Sequence, residues 1–359
     1  MNNVAKLCVA LSALLTSNTT SAGLIFNISS TGNTQADAGF QLAADNISSL
    51  FSDDLTVNIT AGFSSLGSSI LGQARSQVTL YDYASWKNAM LLDAVSADDL
   101  SMVNSLPSGS TFNPFINGTS DNPNGAGSVI PYTDNDAGAN NGIVRVTRAN
   151  AKALGLQNVQ APEEDAAITF SSDFAFDFDP TDGINAGMID FVGVAMHEIL
   201  HALGFSSGVD ILDVNTMNGP AAGLFPDNAF TFVTGLDFTR HSAASQAAGA
   251  DFDWTADQRD KYFSIDGGAT QIGPNSGFSQ GRYNGDGRQA SHWKDNLGIG
   301  IMDPTAMPAG RENIVTKQDI QALDVIGWDL ASAFSIPAPP VIFMFSIGLL
   351  GIFVSRKAQ

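Results

Sequence analysis

Apolar and polar residues alternate in short runs through the first half of the chain, interrupted by one clear helical stripe. Residues 24–28 (LIFNI) predict a first strand. Ala36, Phe40, Ala43, Ile47 and Phe51 then recur at helical spacing and predict an amphipathic helix over 34–51. In DLTVNIT, Leu55, Val57 and Ile59 alternate with polar residues, the pattern of a half-buried strand. QVTLYDY and GIVRV predict further strands, and ITF with FAFDF closes this half. Residues 104–142, rich in Asn, Gly, Pro and Ser, read as a long excursion rather than a linker, because strands of one sheet lie on both sides.

The second half is less periodic. Residues 190–203 predict a strong helix, and Gly204 suits its left-handed end. Between 205 and 290 the main signal is KYFSIDGGATQI, which predicts a hairpin turning at Asp266-Gly267-Gly268. A last helix is marked by Thr316 with Asp319 three residues on, by the shared face of Ile320, Leu323 and Ile326, and by the stop at Gly327. No internal repeat is present. The fold class expected is α+β.

Composition narrows the setting. Sixteen Lys and Arg face 36 Asp and Glu, a net charge of −20, which excludes a nucleic-acid partner because the surface would repel phosphates. Thirty-two of those acids are aspartates, and with 35 glycines they indicate a loop-rich, solvated protein. Residues 1–22 carry Lys6, an apolar stretch from Leu7 to Leu15 and small residues before Gly23, the pattern of a secretory signal peptide cut after Ala22. The one cysteine, Cys8, lies inside it, so the exported chain has neither disulfides nor a thiol switch. At the other end Pro337, Pro339 and Pro340 precede an uncharged run from Val341 to Val354, then Arg356 and Lys357. The run is shorter than the ~20 residues that span a bilayer comfortably, although its basic end fits the positive-inside pattern. This tail resembles the PEP-CTERM sorting signal of Gram-negative bacteria, with Ala338 where the glutamate stands. The resemblance implies the cell surface or exterior as destination and an exosortase-type enzyme as partner beside the secretion machinery, with a simple transmembrane anchor as the alternative.

The strongest chemical signal is MHEILHALGF, residues 196–205. On a helix, residues four apart stand one above the other, so His197 and His201 aim two imidazoles at one metal. Glu198 lies about 100° round the helix from His197, beside a metal-bound water rather than on the metal. Zinc brings that water's pKa near neutrality, and the carboxylate can take its proton. With four His and four Glu in the chain, such a motif arises by chance in about five of ten thousand sequences. A third ligand is needed. His292, Asp210, Asp213 and His241 are the candidates, although His241, among small polar neighbours, reads as a surface loop residue. DFDPTDG offers Asp177, Asp179 and Asp182 to calcium, but the alternation such loops use fails at Thr181.

HExxHxxGF over His197–Phe205, SHW around His292, IMDP around Met302 and TKQDIQALDVIGWD together resemble the metzincin zinc metalloproteases, closest to the leishmanolysin-like branch and to bacterial relatives with PEP-CTERM tails. Many metzincins place the third ligand six residues after the second histidine, where this chain has Ser207. The resembling branch displaces it by a long insertion, which implies His292 as third zinc ligand and Met302 as the methionine of the turn beneath the metal, with Met307 the alternative. It further implies a two-lobed catalytic domain: an N-terminal lobe (23–204) with the sheet and zinc helix, a C-terminal lobe (205–330) with third ligand and Met-turn, and a linker and tail from 331. The implied activity is hydrolysis of internal peptide bonds in a polypeptide lying along the sheet's edge. A zinc hydrolase of a non-peptide envelope amide and a matrix protein with structural zinc are the rival readings, and an intact Glu198 argues against the second.

Overall fold

The structure is a computed structural model and describes residues 23–332 and 334. Leu24 and Phe26 turn inward around β1 (Ile25–Ile28), while Ile25 stays exposed. Asn33 caps α1 (Thr34–Ser48) by accepting from the Gln35 and Ala36 amides, and the stripe Ala36, Phe40, Ala43 and Ile47 is buried as its spacing requires. Then follow β2 (Thr56–Ser64), β3 (Gly72–Ser76), β4 (Val78–Asp82), α2 (Tyr83–Asp93), α3 (Ala97–Ser105), β5 (Pro114–Ile116), β6 (Tyr132–Thr133), β7 (Ile143–Thr147), α4 (Arg148–Ala153) and β8 (Ala166–Ser171). The main sheet has the order β1-β2-β8-β3. β1, β2 and β8 run parallel, and β3 closes one edge antiparallel to β8.

After β9 (Phe176–Asp177) and β10 (Ile189–Asp190) comes the central helix α5 (Phe191–Leu203). Phe40 of α1, Phe170 of β8 and Phe191 of α5 meet in one core, with ring centroids 5.3 Å apart for Phe40–Phe170 and 4.6 Å for Phe170–Phe191. All three are fully buried, each contributing roughly 1.5–3 kcal/mol, so the helix that carries the histidines is locked to the sheet. Lys152 and Asp165, both inaccessible, pair at 2.6 Å, and Lys152 also reaches the Thr56 carbonyl. That pair ties α4 to the entry of β8.

The rest is built of short pieces: α6 (Val209–Asn215), β11 (Arg240–His241), α7 (Ala243–Ala248), β12 (Phe252–Trp254), β13 (Lys261–Phe263), β14 (Gly277–Phe278) and α8 (Lys317–Asp324). The fold is therefore mixed α+β, with several small sheets. Trp293 anchors this half, packing on Phe205, Phe263 and Phe278 at 5.0, 5.4 and 4.9 Å. Trp328, just after α8, donates to the Leu203 carbonyl at 2.8 Å and pins the segment after α8 to α5.

Several expectations change. The excursion over 104–142 contributes β5, which pairs parallel with β12, so it packs with the second half. The hairpin expected around Asp266-Gly267-Gly268 has a longer loop: β13 pairs antiparallel with β14, which begins only at Gly277, and also with β11, while Ser264 braces the turn. His241 is not a surface residue but fully buried on β11. Helices α2 and α3 escaped notice because exposed Leu91 and Leu92 blur the stripe of α2, and α3 buries only Asp99 and Met102. The last helix forms as expected, with a reciprocal Thr316–Asp319 capping box. Among the described residues no helix is long and apolar enough to cross a membrane. The signal reading of 1–22 and the tail reading beyond 335 lie outside the described residues.

Candidate metal centre

Helix α5 starts where Asp190 accepts from the Gly193 amide at 2.8 Å, and it stops at Gly204, whose φ of 121° a side chain would resist. Along its 13 residues every position is buried except His197 and His201. The helix thus opens to solvent only along the line of its two imidazoles.

His292 joins them from the far half of the chain. His201 Nε2 lies 3.1 Å from His197 Nε2 and 3.3 Å from His292 Nε2. Each opposite ring nitrogen faces a backbone carbonyl: His197 Nδ1 meets Ile301 at 2.7 Å, His201 Nδ1 meets Phe205 at 2.6 Å, and His292 Nδ1 meets Gln289 at 3.2 Å. A carbonyl only accepts, so all three Nδ1 atoms carry the proton and all three Nε2 atoms present lone pairs to one point. Burial, first of all, holds the rings neutral, pushing His201 down to about 3 and lowering His197 and His292, with neighbouring histidines adding to it at His201 and His292. Three converging lone pairs repel unless a cation stands between them. Tetrahedral zinc with bonds of about 2.0–2.1 Å separates its nitrogens by roughly 3.3 Å, close to the spacing here. The donor set fits zinc.

Glu198 points away from the helix core toward β3. Burial pushes its carboxyl up to about 8, opposed by a hydrogen bond from the Ala74 amide, and a divalent cation beside it would draw it down again. Gly72 makes the room: a Cβ there would come 2.9 Å from Glu198 Oε1 and 3.0 Å from its Cγ. The outer edge of β3, next to this carboxylate, is unpaired in the sheet.

Met302 is fully buried next to Ile301, and its carbonyl accepts from the Trp293 amide at 3.0 Å. Met307 is exposed. Asp319 organises this turn: its carboxylate accepts from the Ile301 and Met302 amides and from Trp293 Nε1, at 2.9, 3.2 and 2.8 Å. Asp210 and Asp213 are not beside the histidines' nitrogens as ligands. Asp210 takes the Ala290 amide at 2.6 Å and the Ser291 hydroxyl, while Asp213 takes the Tyr283 and Asn284 amides at 2.7 and 3.0 Å. Both brace the loop that delivers His292. His241 is occupied elsewhere, donating from Nε2 to the Phe238 carbonyl at 3.1 Å.

Asp177, Asp179 and Asp182 do not converge. Asp177 accepts from the Asn185 amide and side chain at 2.8 Å each, and Asp179 caps Thr181. Among the described residues the metal-competent groupings are the histidine trio and a second set, Asp134, Asp136 and Asp227, in which Asp134 already accepts from Asn140. The sequence offered no mark for Asp210, Asp213 or Asp319 as supports, nor for Gly72. No protein-family model, curated protein or solved structure matches the chain.

Proposed function

We propose that the protein is an exported zinc-dependent endopeptidase of metzincin type, resembling the leishmanolysin-like branch, with its zinc on His197, His201 and His292. The observation that carries this reading is the convergence of three unprotonated Nε2 atoms beside a buried glutamate and an unpaired sheet edge. Zinc bound there supplies Lewis acidity to a carbonyl and lowers the pKa of a water. Glu198 takes the proton of the attacking water and returns it to the leaving amine. β3 offers its unpaired amides and carbonyls to an extended peptide, which adds as one more strand and presents a carbonyl to the centre. The lobes 23–204 and 205–330 then form the walls of the cleft, and Met302 closes its floor.

The test is Glu198→Gln, which keeps size and removes the base. Zinc content and melting stay near those of the parent, while casein cleavage falls by about 10²–10⁴-fold. Full proteolysis by the variant would sink the mechanism. If neither form cleaves protein while both hold zinc, the structural-zinc and non-peptide readings take its place.

A further inference from the structure

We propose that the cleft selects peptides carrying aspartate or glutamate side chains near the scissile bond. The inference rests on the peptidase reading above and names its substrate class.

The cleft has a volume of about 1150 Å³ and is lined by Arg75, Arg145, Arg282 and Arg288, four of the nine arginines in the chain. Acids outnumber bases by more than two to one in this sequence, so carboxylates are plentiful partners for any arginine. Away from the cleft, among the described residues, Arg148, Lys152, Arg259, Lys261 and Lys294 each have a carboxylate within 4.0 Å, whereas Lys87, Arg240, Arg311 and Lys317 do not. Inside it, among the described residues, Arg75, Arg145 and Arg282 have none at that distance, and only Arg288 is paired, with Asp295 at 2.9 Å.

Arg145 is the most informative. It stands half-buried on β7, its amide bound to the Val233 carbonyl at 2.7 Å and its guanidinium 5.5 Å from the Phe232 ring. Desolvation lowers its pKa, and no neighbouring charge offsets it. A guanidinium held in that state gains most from a carboxylate that meets its fork with two hydrogen bonds. The lining acids do not fill that role. Glu198 is the base, Asp210 is spent on Ala290 and Ser291, and Asp303 is pushed up to about 6 by burial. A dication held by the three histidines would add to the positive field, which the walls of a cleft focus even in a body that is negative overall.

The experiment uses the zinc-loaded full chain and paired fluorogenic peptides that differ only by Glu or Gln at one position, scanned on both sides of the cleaved bond. The ratio of kcat/KM for the Glu and Gln members is read, because it does not depend on how much of a variant folds. At one position or more the ratio exceeds about ten, and it shrinks as salt rises. Arg145→Gln, or Arg282→Gln if Arg145 is not the contact, brings it toward one, while Arg311→Gln, which alters an exposed arginine outside the cleft lining, leaves it unchanged. Equal cleavage of Glu and Gln peptides at every position would overturn the selectivity and leave the peptidase standing. A ratio above ten that survives each cleft variant would also overturn it. Failure to cleave any peptide would overturn both.

Discussion

His197 Nδ1 lies 2.7 Å from the carbonyl of Ile301, the residue immediately before Met302. The first histidine of α5 is thus oriented by the turn at Ile301, more than a hundred residues on. Asp319 holds that turn by the Ile301 and Met302 amides, and Asp319 is also the capping residue of α8. One carboxylate therefore links the closing helix to the tautomer of a ligand, the kind of outer contact that tunes metal sites.

His292→Ala removes one of three converging nitrogens. The variant should lose stoichiometric zinc on dialysis and, because binding couples to folding, melt at lower temperature. His241→Ala is the control, and burial changes what it should do. It leaves the Phe238 carbonyl without its donor and opens a void, lowering stability by about 1–3 kcal/mol while zinc stays stoichiometric. Zinc retained by the first variant and lost by the second would reverse the assignment.

Asp210→Ala tests the bracing of the third ligand. Asp210 holds the Ala290 amide and the Ser291 hydroxyl, one residue before His292, without belonging to the trio. Losing that brace should weaken zinc affinity about 10–100-fold in competition with a chelator, with the metal still bound at saturation. Unchanged affinity would show that the loop needs no such support.

How much of this the sequence carried depends on where each signal resides. His197, Glu198 and His201 were legible because their chemistry needs a fixed spacing on one helix. His292 and Met302 came from a resemblance, since nothing local ties them to α5. Asp210, Asp213 and Asp319 were invisible as supports: among 32 aspartates, one that braces a loop eighty residues away carries no local mark. β3 went unread because GQARS lacks apolar alternation, and an edge strand facing a cleft does not need it. His241 was misplaced because its polar neighbours are themselves buried, with Ser242 and Ser245 satisfied by their own capping bonds.

Stability should fall as pH rises from about 6.5, above which the buried histidines no longer oppose the decline, to about 8. Asp53, Asp93, Asp99, Asp324 and Asp329 crowd the seam between the α2–α3 connection, α8 and the chain end. Burial, with mutual repulsion, pushes Asp53 up to about 7, Asp93 and Asp324 up to about 8, and raises the other two. The folded state thus binds more protons than the unfolded chain between an ordinary aspartate pKa and these raised values. The contribution is full at the acid end of that window and is lost as pH climbs through about 7 to 8. Melting scans across this range should show the decline, and Asp93→Asn should flatten it, each kcal/mol relieved being worth roughly 2–4 °C. A melting temperature that rises toward pH 8 would contradict the cluster's raised values.

Gly72→Ala addresses the position of the base without touching the base or the metal. The new methyl would stand 2.9 Å from Glu198 Oε1 and 3.0 Å from Cγ, closer than side chains tolerate. Oε1 can swing, but relieving Cγ requires a turn about χ1 on a helix locked into the aromatic core, so the carboxylate must leave its place beside Ala74. A displacement of that size at a reacting group costs about 10²-fold. The expected variant keeps its zinc and its fold, binds peptide along the unaltered backbone of β3, and loses turnover in kcat more than in KM. Equal loss in a Gly72→Ala, Glu198→Gln double variant would show that both act through one carboxylate, and independent, additive losses would show that Gly72 serves the strand instead.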